Sequence, residues 1–265
     1  MQACNRRIPK TMTLKVEKAE TCFAWHAAQL PVIGREGQEK LRKAHIHISG
    51  TGRIGTWIAI DLAAAGAVHL SANDPQILEP ENIGSFVFAR LPDLGKQKVY
   101  VLEAFFHGRP DLVFEAVWAP TESRRVDPYI ERCDLVISCA NTIEGRLAAE
   151  RKAIRYTKPV MQVAAFDGRE RLGGLVTLRL PENRWCACFG CYLGEGRAFP
   201  RGEGLLSTVT STLAAIAANM AVQIITGVRS DFLKSHDLFL IDLESYVIQT
   251  LAIERRRGCE VCGGT

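Results

Sequence analysis

His47-Ile48-Ser49-Gly50-Thr51-Gly52-Arg53-Ile54-Gly55 is the stretch on which the fold turns. Its glycines follow the G-x-G-x-x-G spacing, and the flanking residues supply the context that this spacing needs. Before it, His45 to Ser49 alternates as a strand does. After it, Thr56 to Ala65 is rich in Ala, Ile and Leu and stops at Gly66, which reads as a helix closed by a glycine C-cap. Glycines at such a junction permit a tight turn and close backbone approach, while the helix N-terminus offers free N–H groups and positive potential to phosphate. Val68 to Ser71 reads as the next strand and ends near Asp74, 19 residues after Gly55. A carboxylate there can accept hydrogen bonds from ribose hydroxyls, so Gly50, Gly52, Gly55 and Asp74 together point to a bound nucleotide without saying which. On these residues alone a plain strand-to-helix turn with an ordinary aspartate stays open.

Outward from this turn the same alternation continues. Asp134 to Ser138 and Val160 to Ala165 are short apolar runs with a helix expected between them over 147–157. From Leu205 to Thr226 the Ala, Leu and Ile positions recur on a wide face up to Gly227, the pattern of a long, largely buried helix. Asp237 to Asp242 and Ser245 to Leu251 read as late strands. Strands alternating with helices predict an α/β protein with a doubly wound Rossmann-like sheet, parallel in its first half and mixed beyond. With no internal repeat or low-complexity linker, the expected organisation is an N-terminal arm over 1–33 and a single nucleotide-binding domain over 34–265.

Composition narrows the classes. Of 265 residues, 47% are hydrophobic and 23% charged, which excludes a disordered or collagen-like chain. Lys+Arg 33 against Asp+Glu 29 leaves +4, too slight to make nucleic acid or an anionic membrane the main partner. No apolar run is read as reaching the roughly 20 residues of a membrane helix, and the start of the chain lacks a secretory signal, so a cytoplasmic protein is expected. Nine cysteines in such a compartment favour metal or burial over disulfides. Four of them form two C-x-x-C knuckles, Cys188 with Cys191 and Cys259 with Cys262, the arrangement that closes a tetrahedral zinc site. Four thiolates leave no open position for water or substrate, so the zinc is expected to be structural. Cys186 could compete at a poorer spacing, and Cys4, Cys22, Cys133 and Cys139 are read as free thiols.

The nucleotide turn, its acidic partner and the two distant knuckles together resemble the ThiF/MoeB/HesA family, bacterial relatives of ubiquitin-activating enzymes, including the PRTRC-system ThiF type. The likeness runs from about Gly34 to Cys262. Gly34 to Leu41 is similar to the family's entry segment, Asn82 with Asp93-Leu94-Gly95-Lys96-Gln97-Lys98 to its N-L-x-R-Q and D-I-G-K-x-K stretches, and Asp134 to Asn141 with Arg146 to its D-x-V-x-D-x-x-D-N-x-x-x-R segment. The resemblance implies an adenylyltransferase: a carboxylate at the C-terminus of a small ubiquitin-like or sulfur-carrier protein, or of a peptide, attacks ATP and yields an acyl-adenylate and pyrophosphate. It further implies a homodimer, ATP with Mg²⁺, nucleotide contacts from Gly50, Gly52, Gly55, Asp74, Asn82, Asn141 and Arg146, and a phosphate contact from Lys96 as the catalytic cation.

The sequence also departs from that pattern. Ala140 stands where the family carries its magnesium-associated aspartate, Ser85 and Phe86 where it carries Arg and Gln, and Gln76 where it has a second aspartate. The N-terminal arginine that reaches across the family's dimer aligns near His26. No cysteine occurs from Tyr192 to Gly258, where some members form a thioester, so transfer without a thioester is expected. The alternative is a degenerate member that keeps the fold and zinc as a binding or scaffold protein. A nicotinamide-dependent oxidoreductase is the reading that the glycine turn and Asp74 alone would allow. His45 and His47 read as buried or edge residues, and Asp167 to Arg171 either borders the substrate groove or is a solvated loop.

Overall fold

The computed structural model of the protein describes residues 23–183, 186–193 and 204–263. Residues 1–22 of the expected arm, and most of the loop that precedes the long helix, lie outside them. Helix α1 (Leu30–Lys43) is bent where Gly34 adopts φ 69°, and it begins inside the segment expected as arm. Then come β1 (His45–Ser49), α2 (Gly55–Ala65), β2 (His69–Asn73), α3 (Lys98–Phe106), β3 (Val113–Val117), α4 (Asp127–Arg132) and β4 (Leu135–Ser138). The second half holds α5 (Ile143–Arg155), β5 (Val160–Ala165), β6 (Gly173–Arg179), α6 (Phe189–Leu193), α7 (Ser207–Thr226), α8 (Asp231–Ser235), β7 (Leu238–Asp242) and β8 (Val247–Leu251).

All eight strands form one sheet in the order β3-β2-β1-β4-β5-β6-β7-β8. Pairings among β3, β2, β1, β4 and β5 are parallel, and those from β5 to β8 are antiparallel. This is the parallel sheet continuing into a mixed one that the sequence predicts. Side chains alternate across the strands and thereby sort two layers. Ile46, Ile48, Leu135, Ile137, Met161 and Val163 face a large core with Leu41, Ile58, Leu62 and Leu213. Val136 and Val160 face a smaller core with Val126, Ile130, Ala149 and Ala153.

Helix α7 supplies much of the larger core. Val209, Leu213, Ala214, Ala217, Ala218 and Ala221 are buried at helical spacing, and Gly227 closes the helix in the left-handed region at φ 76°. Its 20 residues are long and apolar enough to cross a membrane. That corrects the expectation that no such run exists, and the physical reason is burial against α1, α2, β5 and β6, which leaves little polar face to encode. Five elements were not expected from the sequence: α3, β3, β6 and the short helices α6 and α8. Val113 lies half exposed on edge strand β3, and α3 is apolar on more than one side, so neither has a clean period.

Candidate functional site

The turn between β1 and α2 lies at the carboxyl ends of the parallel strands, where doubly wound sheets place ligands. Gly50 has φ 94°, and a Cβ there would sit 3.0 Å from the backbone of Cys139 and Ala140. A Cβ at Gly55 would lie 1.9 Å from the Gly50 carbonyl oxygen, a distance no side chain tolerates. Gly52 differs from both, because a Cβ there would meet only open space. The outer two glycines are therefore demanded by packing, and the middle one leaves the cradle open above the start of α2. Thr56 Oγ1 donates to the Thr51 carbonyl at 2.9 Å and ties the loop to the first helical turn.

Asp74 holds this loop from below. Its Oδ2 accepts from Thr51 N at 2.7 Å and from Thr51 Oγ1 at 3.2 Å, and its Oδ1 accepts from Gln76 N at 2.8 Å. The residue is only 4% exposed, and burial raises its pKa above the usual carboxylate value while those hydrogen bonds oppose the rise. Both carboxylate oxygens thus accept backbone N–H groups, one from the turn and one from just beyond β2.

The other expected site residues divide. Asn82, 8% exposed, closes a short 3₁₀ turn, its Oδ1 accepting from Glu79 N at 3.0 Å. Asn141 is exposed at the end of β4, directly after the backbone that Gly50 touches. Arg146 points inward: its Nη2 donates to the Val163 carbonyl at 3.0 Å and its guanidinium lies 5.9 Å from the Phe189 ring. Burial lowers its pKa to about 10. Lys96 is exposed and paired with Asp93 at 2.8 Å. Lys98, two residues on, is the lysine that the structure brings to the site. It is 5% exposed, donates to Gln76 Oε1 at 2.9 Å, and has Asp74, Glu79, Glu81 and Arg53 as its charged neighbours. Desolvation lowers its pKa, and the three carboxylates oppose that shift. From sequence alone Lys98 carries no assigned role. Its position at the first turn of α3, beside the residue after next from Asp74, was the missing signal.

The four knuckle cysteines converge. Cys188 Sγ lies 3.7 Å from Cys191 Sγ and 3.6 Å from Cys259 Sγ, and Cys191 Sγ lies 3.6 Å from Cys262 Sγ. All four sulfurs are within 4.8 Å of one another. Tetrahedral zinc with Zn–S near 2.3 Å needs edges of about 3.8 Å, so the donor set fits the metal. Cys186 is excluded as a competitor, since its thiol donates to the Leu178 carbonyl at 3.1 Å. His47 is fully buried between Ser71 Oγ at 2.9 Å and Asn73 Oδ1 at 3.1 Å, and desolvation lowers its pKa to about 4. It is a neutral core residue. In the 167–171 loop, Arg169 pairs with Asp167 and Arg171 with Asp242.

Residues 25–261 match the ThiF family. The chain belongs to the ThiF family. Protein HesA from Nostoc sp. is 28% identical over 236 residues, covering 88% of this chain and 90% of its own. The sulfur carrier protein ThiS adenylyltransferase from Escherichia coli is 24% identical over 239 residues, covering 88% and 91%. Among solved structures, E. coli MccB with ATP shares the fold at a TM-score of 0.74 and 17% identity, covering 93% of this chain and 76% of that one.

Within the ThiF fold the departures can be located. The Ala140 methyl lies against Gly145, while its backbone nitrogen lies against Gly50. Ser85 is buried and donates to the Asn82 carbonyl at 3.0 Å, while Phe86 is fully buried and packs toward Phe88. His26 is 5% exposed and packs against Gly66 of its own chain. Ala140, Ser85, Phe86 and His26 are packed residues here, and among the described residues Lys98 and Arg53 are cations near the glycine turn. Arg53 donates to the Glu81 carbonyl at 2.9 Å.

Proposed function

We propose that this ThiF-family protein adenylylates the C-terminal carboxylate of a small ubiquitin-like or sulfur-carrier protein, or of a peptide. The observation that carries the reading is the pairing of an open glycine cradle at the start of α2 with a buried ammonium, Lys98, beside it. A carboxylate oxygen attacks the α-phosphorus of ATP, the bond to the bridging oxygen of the β-phosphate breaks, and pyrophosphate leaves. Backbone N–H groups of the turn and the N-terminus of α2 meet phosphate charge, and Lys98 neutralises charge that grows on the leaving group. Asp74 keeps the turn in shape. The choice of a protein carboxylate follows from relatives named for sulfur carrier proteins.

Four features refine the proposal. Among the described residues outside the knuckles, burial pushes the thiols of Cys133, Cys139 and Cys186 up to about 12, which supports release or direct transfer of the adenylate without a thioester. The four knuckle cysteines would hold zinc, which supplies structure only. A magnesium ion held by the protein does not fit, because position 140 offers a methyl group and Asp74 is committed to Thr51 and Gln76. Val87, Leu91, Leu94, Tyr100 and Phe105 are exposed apolar side chains between residues 87 and 105, which a second copy of the chain would cover.

A second reading, a binding or scaffold subunit without catalysis, is favoured by Ala140 and by buried Ser85. Calorimetric titration with ATP followed by a pyrophosphate-release assay with candidate carrier C-terminal peptides separates the two. ATP binding with pyrophosphate release supports the enzyme; ATP binding without release from any carrier supports the scaffold.

A further inference from the structure

We infer that Gln76 is the positioning residue for Lys98: its side-chain carbonyl holds the buried ammonium in place without cancelling its charge. The inference rests on the adenylylation reading above. The backbone around Gln76 is pinned on both sides. Trp118 Nε1 donates to the Pro75 carbonyl at 2.9 Å, Gln76 N donates to Asp74 Oδ1 at 2.8 Å, and Lys98 N donates to the Gln76 carbonyl at 3.0 Å. A side chain on a backbone so held has a defined origin. Its Oε1 takes the Lys98 Nζ at 2.9 Å, a charge-assisted hydrogen bond to a neutral acceptor.

The chemistry of the acceptor decides what Lys98 can do. A carboxylate at position 76 would pair with Lys98 and weaken the field it casts on phosphate. An amide satisfies one N–H and leaves the charge whole. Asp74, Glu79 and Glu81 already outnumber the two cations Lys98 and Arg53 here, so one more carboxylate in direct contact would deepen a local balance that is already negative. In a site that lacks an aspartate at position 140, and so lacks a protein-held metal, keeping the lysine charge available is the electrostatic resource that remains.

The test is calorimetric titration of the full-length protein with ATP for wild type, Gln76→Leu, Gln76→Glu, Lys98→Met and the double variant Gln76→Leu/Lys98→Met. Gln76→Leu and Gln76→Glu are each expected to weaken ATP binding about tenfold. Gln76→Glu, which keeps the shape and the hydrogen bond, is expected to do so with no fall in melting temperature, a result that a purely structural role would not produce. In the Lys98→Met background Gln76→Leu should change affinity less than about twofold, because its effect passes through the lysine. Both single variants within about twofold of wild type, or a full Gln76→Leu effect without Lys98, would overturn the inference while leaving the adenylylation reading intact. Wild-type protein that binds no ATP removes that reading, and this inference with it. Should Gln76→Leu fail to fold, Gln76→Glu carries the comparison alone.

Discussion

Replacing Asp74 by asparagine tests whether the carboxylate holds the glycine turn. Aspartate presents two acceptor oxygens, one to Thr51 N at 2.7 Å and one to Gln76 N at 2.8 Å. Asparagine has one oxygen and one NH₂ group, so in either orientation one of those backbone N–H groups faces another donor. Leaving a buried N–H unpaired costs about 1–3 kcal/mol, and the surviving bond loses about 1 kcal/mol as its acceptor becomes neutral. Removing a buried charge returns part of this, since desolvation already raises the Asp74 pKa. A net loss of about 1–3 kcal/mol follows. At about 2 °C per kcal/mol for a chain this long, the melting temperature should fall by about 2–6 °C. The assay is thermal unfolding of Asp74→Asn beside wild type, followed by ATP titration, where a loosened Thr51 should weaken binding about tenfold. A melting temperature within about 1 °C of wild type together with unchanged ATP affinity would refute the claim that Asp74 shapes the turn.

Other consequences are equally open to measurement. Lys98→Met should lower pyrophosphate release at least about 100-fold, whereas Lys96→Met, which removes a solvent-exposed pair with Asp93, should lower it less than about threefold. Equal losses would return the phosphate role to Lys96. Metal analysis of the purified protein should find about one zinc per chain, and Cys259→Ser should release it and lower the melting temperature by several degrees; full stability without metal would dismiss the site. His47 is held neutral, its pKa lowered from 6.5 to about 4, so the unfolded chain binds the extra proton between those values and stability falls as pH drops through that window. Between pH 7 and pH 5 the loss should be about 2 kcal/mol in urea unfolding, and His47→Gln should flatten that slope. An unchanged slope would locate the titration elsewhere.

Several features were legible because local chemistry writes them into the chain. Ile46 and Ile48 alternate with His47, and the alternation alone marks β1 and its two faces. The helix between the glycine turn and Gly66 is recoverable for the same reason, as the αL cap at Gly66 (φ 99°) shows. Helix α5 starts at Ile143, earlier than expected, because Thr142 Oγ1 accepts from Gly145 N at 3.1 Å and caps it there. Edge strand β3 and helix α3 were not legible. Neither carries the period that burial on a single face would impose.

The sequence by itself determined the strand, turn and helix that make the nucleotide cradle, and the pairing of two C-x-x-C knuckles across 67 residues, because both depend on residue type at fixed short spacing. Tertiary structure alone decided where charge points. Leu78 N donates to the Lys96 carbonyl at 2.7 Å and Lys98 N to the Gln76 carbonyl at 3.0 Å, and this pairing leaves Lys96 at the surface while Lys98 opens α3 over Gln76. Arg146 turned into the core toward Phe189, and Asp74 turned under the loop toward Thr51, for the same physical reason. A charged side chain goes to the partners that packing places within reach, and those partners lie far along the chain.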